Sequence, residues 1–427
     1  MDVLIADVIG DIALVLVASW LMGALARKCG QPAVVGQILA GIALGPSLVG
    51  RLPGHLTTRL FPSAALPSLT VLANVAVVIF MFAVGYELDL RSLRGQRRAA
   101  PFVATSGLLL PLGLGIAAAV AFRSRFNALG SPHSSRVFVL YMGVVLAITA
   151  LPVLAAIVRE QGMAGTRAGI TATAAAGLMD AGAWLLLAVA AASTVHKQGR
   201  PPWLTLLLLC AFAAGMLWAV RPLLRWWLRR RVSALASVLP IALFLALASA
   251  WVTASLGLHP VFGGFLAGLT MPSLDGKPDD EVLRPLEQVG DLLLPLFFVV
   301  TGLSVNIGKL GADAFVVLAI VVVVACAGKL GAAYPAARLG GLPPREAAGV
   351  AVLVNTRGLT ELIALNVGLT DAIIGKQLFA VLVLMAVFTT MATSPLLAWV
   401  KLSAGLPVRH PCPAGSRRSR SGPSDRC

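Results

Sequence analysis

One stretch of this chain is written twice. Gln31 to Leu48 reads QPAVVGQILAGIALGPSL and His259 to Leu274 reads HPVFGGFLAGLTMPSL. Each places Pro second, Gly four residues later, then Leu-Ala-Gly and a closing Pro-Ser-Leu, with two one-residue slips between the copies. A second pair follows in register, Gly85-Tyr-Glu-Leu-Asp-Leu90 against Gly302-Leu-Ser-Val-Asn-Ile307. Two copies of one unit in an apolar chain imply a membrane protein built from two equivalent halves, with its site where the halves meet.

Composition fixes the solvent. The chain has 427 residues, 58% hydrophobic and 12% charged, far outside the range of a soluble domain. Apolar runs long enough for a hydrocarbon core of about 30 Å lie near 3–26, 69–88, 101–122, 137–158, 168–195, 203–220, 233–256, 288–306, 313–335, 347–369 and 377–400. Two shorter runs punctuated by Gly and Pro, 33–50 and 259–274, bring the count to thirteen. These two are the members of the first repeat pair. The second run therefore matches the ninth and the third matches the tenth, a displacement of seven. An odd displacement turns the second copy upside down. The expected fold is all-α and polytopic, with about thirteen transmembrane helices in two inverted repeats.

The boundaries follow. Spans one to three occupy 1–100 and spans four to six occupy 101–200; a connector occupies 201–231; spans eight to ten occupy 232–310 and spans eleven to thirteen occupy 311–402. A basic tail, 403–427, is polar and rich in Pro, Gly and Ser, and is expected to be disordered in the cytoplasm.

The net charge of +16 raises the question of nucleic acid, and its distribution answers it. With the N-terminus outside, inner loops and tail hold 23 Lys and Arg and outer loops hold 9, while Lys329 and Arg357 lie within spans, which accounts for all 34. That is the bias of a cytoplasm-facing set of loops. Without the tail it is still 17 against 9. The largest inner cluster, Arg221, Arg225, Arg229, Arg230 and Arg231, reads as an anchor at anionic lipid headgroups.

The opening segment lacks a basic leader and carries Asp2, Asp7 and Asp11, so it is expected to remain as the first span. Cys29, Cys210, Cys326, Cys412 and Cys427 show no CxxC spacing, and neither a metal site nor a disulfide framework is expected. After Lys401 the chain is too short for a nucleotide-binding module. No cofactor, no direct regulation by NAD or ATP and no enzymatic activity are expected, since no nucleophile set, metal set or cofactor loop can be read.

Ionisable groups inside a bilayer are costly, and each one that persists is a functional candidate. Asp180 lies near the centre of the sixth span among small residues, and Lys329 lies near the centre of the eleventh. Lys329 has no carboxylate within a turn on its own helix, so a partner on another helix is expected, and Asp180 is the obvious one. Arg357 and Glu361 are four apart in VLVNTRGLTELIALNVG and can neutralise one another. Asn355-Thr356-Arg357-Gly358 also reads as a helix interruption. Its counterpart in the other half is Ile148-Thr149-Ala150-Leu151-Pro152, where the proline removes a donor and disfavours helix at Leu151. Interrupted spans at matching positions point to a midplane site. Freed carbonyls and the Thr149 or Thr356 hydroxyl suit a small cation, and Arg357 can offset the negative end of a half-helix.

Glu87, Asp89, Glu160 and Asp291 read as solvated or Arg-paired charges at the cytoplasmic surface, near Arg91, Arg94, Arg97 and Arg98. His55, His133, His196 and His259 fall in loops or at span ends, and only His259 opens a repeat segment.

The blocks QPAVVGQILAGIALGPSLVG, FMFAVGYELDL, LAITALPVLAAI, HPVFGGFLAGLTMP, PLFFVVTGLSVNI and VLVNTRGLTELIALNVGL, in this order across nearly the whole membrane region, resemble the signature blocks of the monovalent cation:proton antiporter-2 family, a family with a sodium/hydrogen exchanger-like domain, and most nearly those of its bacterial and plant cation/proton exchanger branch. The resemblance implies a homodimer. It makes spans one to three and eight to ten a dimerisation domain, and spans four to six and eleven to thirteen a core with two crossed, broken helices. It places the ion-binding carboxylate on Asp180, the basic residue paired with it on Lys329, and the crossing on Thr149 to Pro152 and Asn355 to Gly358. Members of the family often carry Asn or Asp just before the key Asp, where this chain has Met179. A thioether adds no second titrating group, which favours exchange of one cation for one proton.

The implied activity is exchange of Na⁺ or K⁺ for protons by alternating access, with a role in pH homeostasis. Two alternatives use the same scaffold: an exporter or ion-coupled carrier of a small organic molecule, and a cation channel.

Overall fold

The computed structural model describes residues 2–51, 57, 60–87, 99–130, 136–192, 202–230, 238–272 and 278–402. Asp89, Arg91, Arg94, Arg97, Arg98, His55, His133, His196, Arg231, Cys412, Cys427 and the tail 403–427 lie outside the described residues, as do the side chains of Asp2, Arg229, Arg230 and Asp291.

The chain is nearly all helical, as continuous apolar runs in a medium without water require. Its first half contains α1 (Asp2–Lys28), α2 (Ala33–Leu44), α3 (Leu66–Glu87), α4 (Ala99–Ala121), α5 (Arg136–Ala147), α6 (Leu151–Glu160) and α7 (Arg167–Ala192). The connector is α8 (Pro202–Gly215), a π-helical turn at Met216–Val220, and α9 (Arg221–Arg230). The second half contains α10 (Val238–Ser255), α11 (Val261–Thr270), α12 (Asp280–Leu303), α13 (Ala312–Leu339), α14 (Pro344–Val354), α15 (Leu359–Thr370) and α16 (Lys376–Leu402). Among the described residues twelve segments are long and apolar enough to cross a membrane, and the short α11 completes the thirteen expected. The connector helix runs further than the apolar pattern indicates. Its π-turn carries the chain directly into α9, so Arg221 and Arg225 ride on a helix with Leu223, Trp226 and Trp227 instead of in a loop.

Two satellite clusters show how the elements sort. One joins α4, α6, α7, α13, α14 and α16 through Val103, Leu154, Ala172, Ala333, Val350 and Leu397. The other joins α3, α10, α11 and α12 through Phe82, Ala246, Ala267 and Leu286. The largest cluster draws residues from both sets of helices and from α5 and α15, among them Leu69, Phe262, Leu146 and Leu362.

The glycines of the duplicated stretch explain why it was written twice. A Cβ at Gly41 on α2 would come within 2.9 Å of the Cα of Gly302 on α12. A Cβ at Gly268 on α11 would come within 2.8 Å of the Tyr86 backbone nitrogen, and one at Gly85 on α3 within 3.2 Å of the Cα of Gly268. Gly41 and Gly268 hold the same place in the two copies, as do Gly85 and Gly302. Each copy's short helix thus lies backbone to backbone on the other copy's next helix, an approach that only a residue without a side chain permits.

Both expected interruptions are present. After Ala147 the helix stops, Ala150 is extended, and α6 restarts at Leu151 with Pro152 in its first turn. In the other half α14 ends at Val354 and α15 restarts at Leu359. Gly358 between them has an extended φ of 165°. A side chain there would meet Val153 Cγ2 at 2.6 Å and Ala150 Cβ at 3.5 Å, so close contact between the two breaks requires the glycine.

Candidate functional site

The two breaks meet and bond to each other. The Ala150 N–H donates to Thr356 O at 3.1 Å, the Thr149 hydroxyl to Val354 O at 3.1 Å, and the Thr360 hydroxyl to Thr149 O at 3.4 Å. From α16, the Thr390 hydroxyl donates to Arg357 O at 2.5 Å and accepts from the Arg357 N–H at 3.3 Å. Backbone groups released by the breaks are therefore largely satisfied across the crossing, as a medium without water demands.

The negative end of α5 is held by two cations. Its last carbonyls have no partner in their own helix. Arg357 donates to Val145 O at 3.0 Å and to Leu146 O at 2.6 Å, and Lys329 donates to Ala147 O at 2.5 Å. Both cations come from the opposite half and neither is exposed. Positive charge at a helix C-terminus is favourable, more so where water is excluded. Arg357 also meets Glu361 Oε1 at 2.8 Å, the expected pair, although Arg357 lies just before the start of α15.

The charge of Asp180 acts on Lys329, as expected, but the hydrogen-bond partners of Lys329 are others. Its ammonium donates to Gly107 O at 3.1 Å, Ala147 O at 2.5 Å and Thr149 Oγ1 at 2.6 Å. The ion pairs within 4.0 Å among the described residues do not include Asp180 with Lys329. The reason is local. A carbonyl within α4, one at the end of α5 and a hydroxyl supply three acceptors for the three donors of an ammonium.

Asp180, on α7, is 1% exposed. Neither carboxylate oxygen has a hydrogen-bond partner. The nearby Leu151 N–H and Thr360 hydroxyl act on it without closing a bond of ordinary length and angle. The Leu151 N–H is the first of α6, so the positive end of a half-helix faces the carboxylate. Beside it runs a tight crevice, closed to anything as large as a water molecule, lined by Ile148, Asp180, Ala183, Trp184, Leu187 and Thr360.

Met179 is fully buried. Its sulfur lies 4.0 Å from the Thr149 hydroxyl, and its methyl would sit 3.1 Å from a Cβ at Gly107, so it fills the space beside Thr149 with apolar volume. At the break itself Asn355 donates to Cys326 Sγ at 3.7 Å, while Asn355 Oδ1 and Thr356 Oγ1 are buried without partners. Away from the crossing, Glu87 ends α3 exposed and beside Glu287, and Glu160 ends α6 exposed near Arg27 and Arg159. The His259 ring accepts from the Val261 N–H at 3.4 Å, at the start of α11.

Four participants were not singled out from sequence: Gly107, through its carbonyl, and Trp184, Thr360 and Thr390. A backbone acceptor leaves no residue-type signal. Thr360 stands in the NTRGLTEL block itself and Thr390 in the Thr-Thr pair of FTTMATS; hydroxyls in apolar spans mark helix-to-helix bonding.

Inverted membrane repeats whose half-helices cross beside a buried, unpartnered carboxylate define a secondary transporter. The model of the family described as sodium/hydrogen exchanger, transmembrane, matches residues 12–399, and the chain belongs to that family. It is 37% identical over 397 residues to Cation/H(+) antiporter 20 of Arabidopsis thaliana, covering 90% of this chain and 47% of that protein. It is 34% identical over 395 residues to the Na(+)/H(+) antiporter NhaS4 of Synechocystis sp., covering 91% and 96%. The chain spans about half the length of the plant relatives it matches. Among solved structures, the sodium proton antiporter MjNhaP1 of Methanocaldococcus jannaschii shares the fold with a TM-score of 0.68 at 16% identity, covering 94% of this chain and 98% of that one.

Proposed function

We propose that this protein is a secondary active antiporter that exchanges a monovalent cation, Na⁺ or K⁺, for protons by alternating access. The observation that carries the reading is Asp180: a carboxylate 1% exposed, with both oxygens unpartnered, at the junction of two broken helices. Such a group takes a positive passenger, and a proton and a dehydrated cation exclude one another from it. Empty, it is a desolvated carboxylate with no bonded partner, which opposes movement of the site, and loaded it has one. That exclusion couples the fluxes. Thr149, Ala150, Leu151, Pro152, Asn355, Thr356 and Gly358 shape the site, while Lys329, Arg357 and Glu361 balance charge around it.

The moving unit in this reading is α4–α7 with α13–α16, the core, which slides against α1–α3 with α10–α12, the dimerisation unit of a homodimer. The loop charges support an N-terminus outside and a C-terminus in the cytoplasm of a cell membrane, with α9 lying on anionic lipid. The names of the relatives support cation and proton as passengers, and the narrow crevice suits an atomic ion better than an organic molecule. A single buried carboxylate with both oxygens unpartnered among the described residues, with Lys329 bonded to three acceptors, supports exchange of one cation for one proton.

In proteoliposomes with an imposed pH gradient, adding Na⁺, K⁺, Li⁺ or Rb⁺ is expected to dissipate the gradient for the native chain and not for Asp180→Asn. A response that survives the substitution overturns the assignment.

A further inference from the structure

Along α7, Asp180, Ala183, Trp184 and Leu187 fall on one face at helical spacing and line one crevice. Trp184 closes that face. Its ring meets Phe262 edge-on at 5.9 Å and Phe265 tilted at 6.3 Å, and both phenylalanines belong to α11. Among the described residues these are the ring contacts that join α4–α7 to α10–α12. The short helix that carries them is held backbone to backbone against α3 and α10 at Gly264, Gly268 and Gly263, so it offers Trp184 a rigid seat. The indole is 4% exposed and its Nε1–H has no acceptor. A buried donor without a partner is a penalty that this arrangement carries.

We propose that Trp184 is the gate residue of the Asp180 crevice: its ring, seated on Phe262 and Phe265, closes the path to the carboxylate, and its orphaned N–H keeps that closure easy to reverse. The proposal rests on the transport reading for its purpose and not for its geometry. When α7 moves against α11 the ring leaves its seat, the N–H finds an acceptor, and the crevice opens along the face it shares with Asp180. Two properties of one side chain thus pull in opposite directions, with packing favouring the closed state and the unpartnered donor opposing it.

The two can be separated by substitution. Trp184→Ala removes ring and donor, whereas Trp184→Phe keeps an aromatic seat and removes the donor. In a background with the native cysteines replaced, Ala183→Cys reports access to the crevice through its rate of modification by a small charged thiol reagent, a measurement that does not need transport. Trp184→Ala is expected to speed modification about tenfold, as loss of two aromatic pairs implies. Trp184→Phe is expected to slow it severalfold, because the closed state no longer carries an unpaired donor. Phe265→Ala, which removes the seat from the other side, is expected to speed it as Trp184→Ala does, and serves if that variant does not fold. Unchanged rates, or Trp184→Phe moving in the same direction as Trp184→Ala, overturn the proposal. Divergent rates in a chain that shows no cation-dependent proton flux would uphold the gate and overturn the transport reading.

Discussion

At the scale of single residues, the site separates charges that are bonded to partners from a carboxylate that is not. Arg357 and Glu361 are fully buried and bonded to each other, and Arg357 also to α5, so removing one partner leaves the other uncompensated. Arg357→Met is expected to destabilise the protein by about 3–5 kcal/mol, seen as a lower melting temperature in detergent, and Arg357→Met with Glu361→Leu is expected to recover part of that loss. Met179 is the opposite case. Next to Asp180 it contributes volume and no titrating group, and Met179→Asp adds one. That variant is expected to move two protons per cation, each net charge being worth about 2.3 kcal/mol per 100 mV. It should therefore give a current on a solid-supported membrane in a salt-free pH jump, where the native chain gives none. The burial of Asp180, Lys329 and Arg357 within spans was legible because charge in an apolar run is conspicuous. The partner of Lys329 was not: two of its three acceptors are backbone carbonyls, on α4 and α5, and carbonyls are the same in every residue.

At the scale of helices, the two breaks act as one joint. Thr149 donates to Val354 O and accepts from Lys329, tying α5, α14 and α13 through a single hydroxyl. Thr149→Val keeps the shape and strands both partners, at a cost of about 1–3 kcal/mol; Thr149→Ser is expected to stay near native stability in the same melt. The positions of both breaks were legible, since Pro152 and Gly358 are strong local punctuation. How the breaks face each other was not, because the bonds between them link residues more than two hundred positions apart. The glycines of the duplicated stretch could be read as a repeat, while their contacts across halves needed the fold. Gly41→Ala and Gly268→Ala are each expected to cost at least about 1–3 kcal/mol by overpacking, measured as lost monodisperse protein on size-exclusion chromatography.

At the scale of the molecule, sidedness is the property that hydropathy and loop charge address together. Cys29 is exposed directly after Arg27 and Lys28, in the first loop counted as cytoplasmic. With the other cysteines replaced by Ser, a membrane-impermeant maleimide is expected to modify Cys29 in inverted vesicles and to leave it untouched in right-side-out ones; the reverse result would invert the whole topology. The number of segments was readable because the bilayer sets a minimum length for most of them, and the duplication pointed to the short α11. The run of α8 through its π-turn into α9 was not, since there the apolar pattern fades while the backbone hydrogen bonding continues.

The backbone contacts of Gly41 with Gly302 and of Gly268 with Gly85 are one docking surface met from its two ends. A single half of this chain already carries both faces of that surface, each complementary to its own upside-down twin. An ancestor with one such half, inserted in both directions in the same bilayer, could have assembled the pair without a connector, and the join at α8 and α9 needed only to make the partnership permanent.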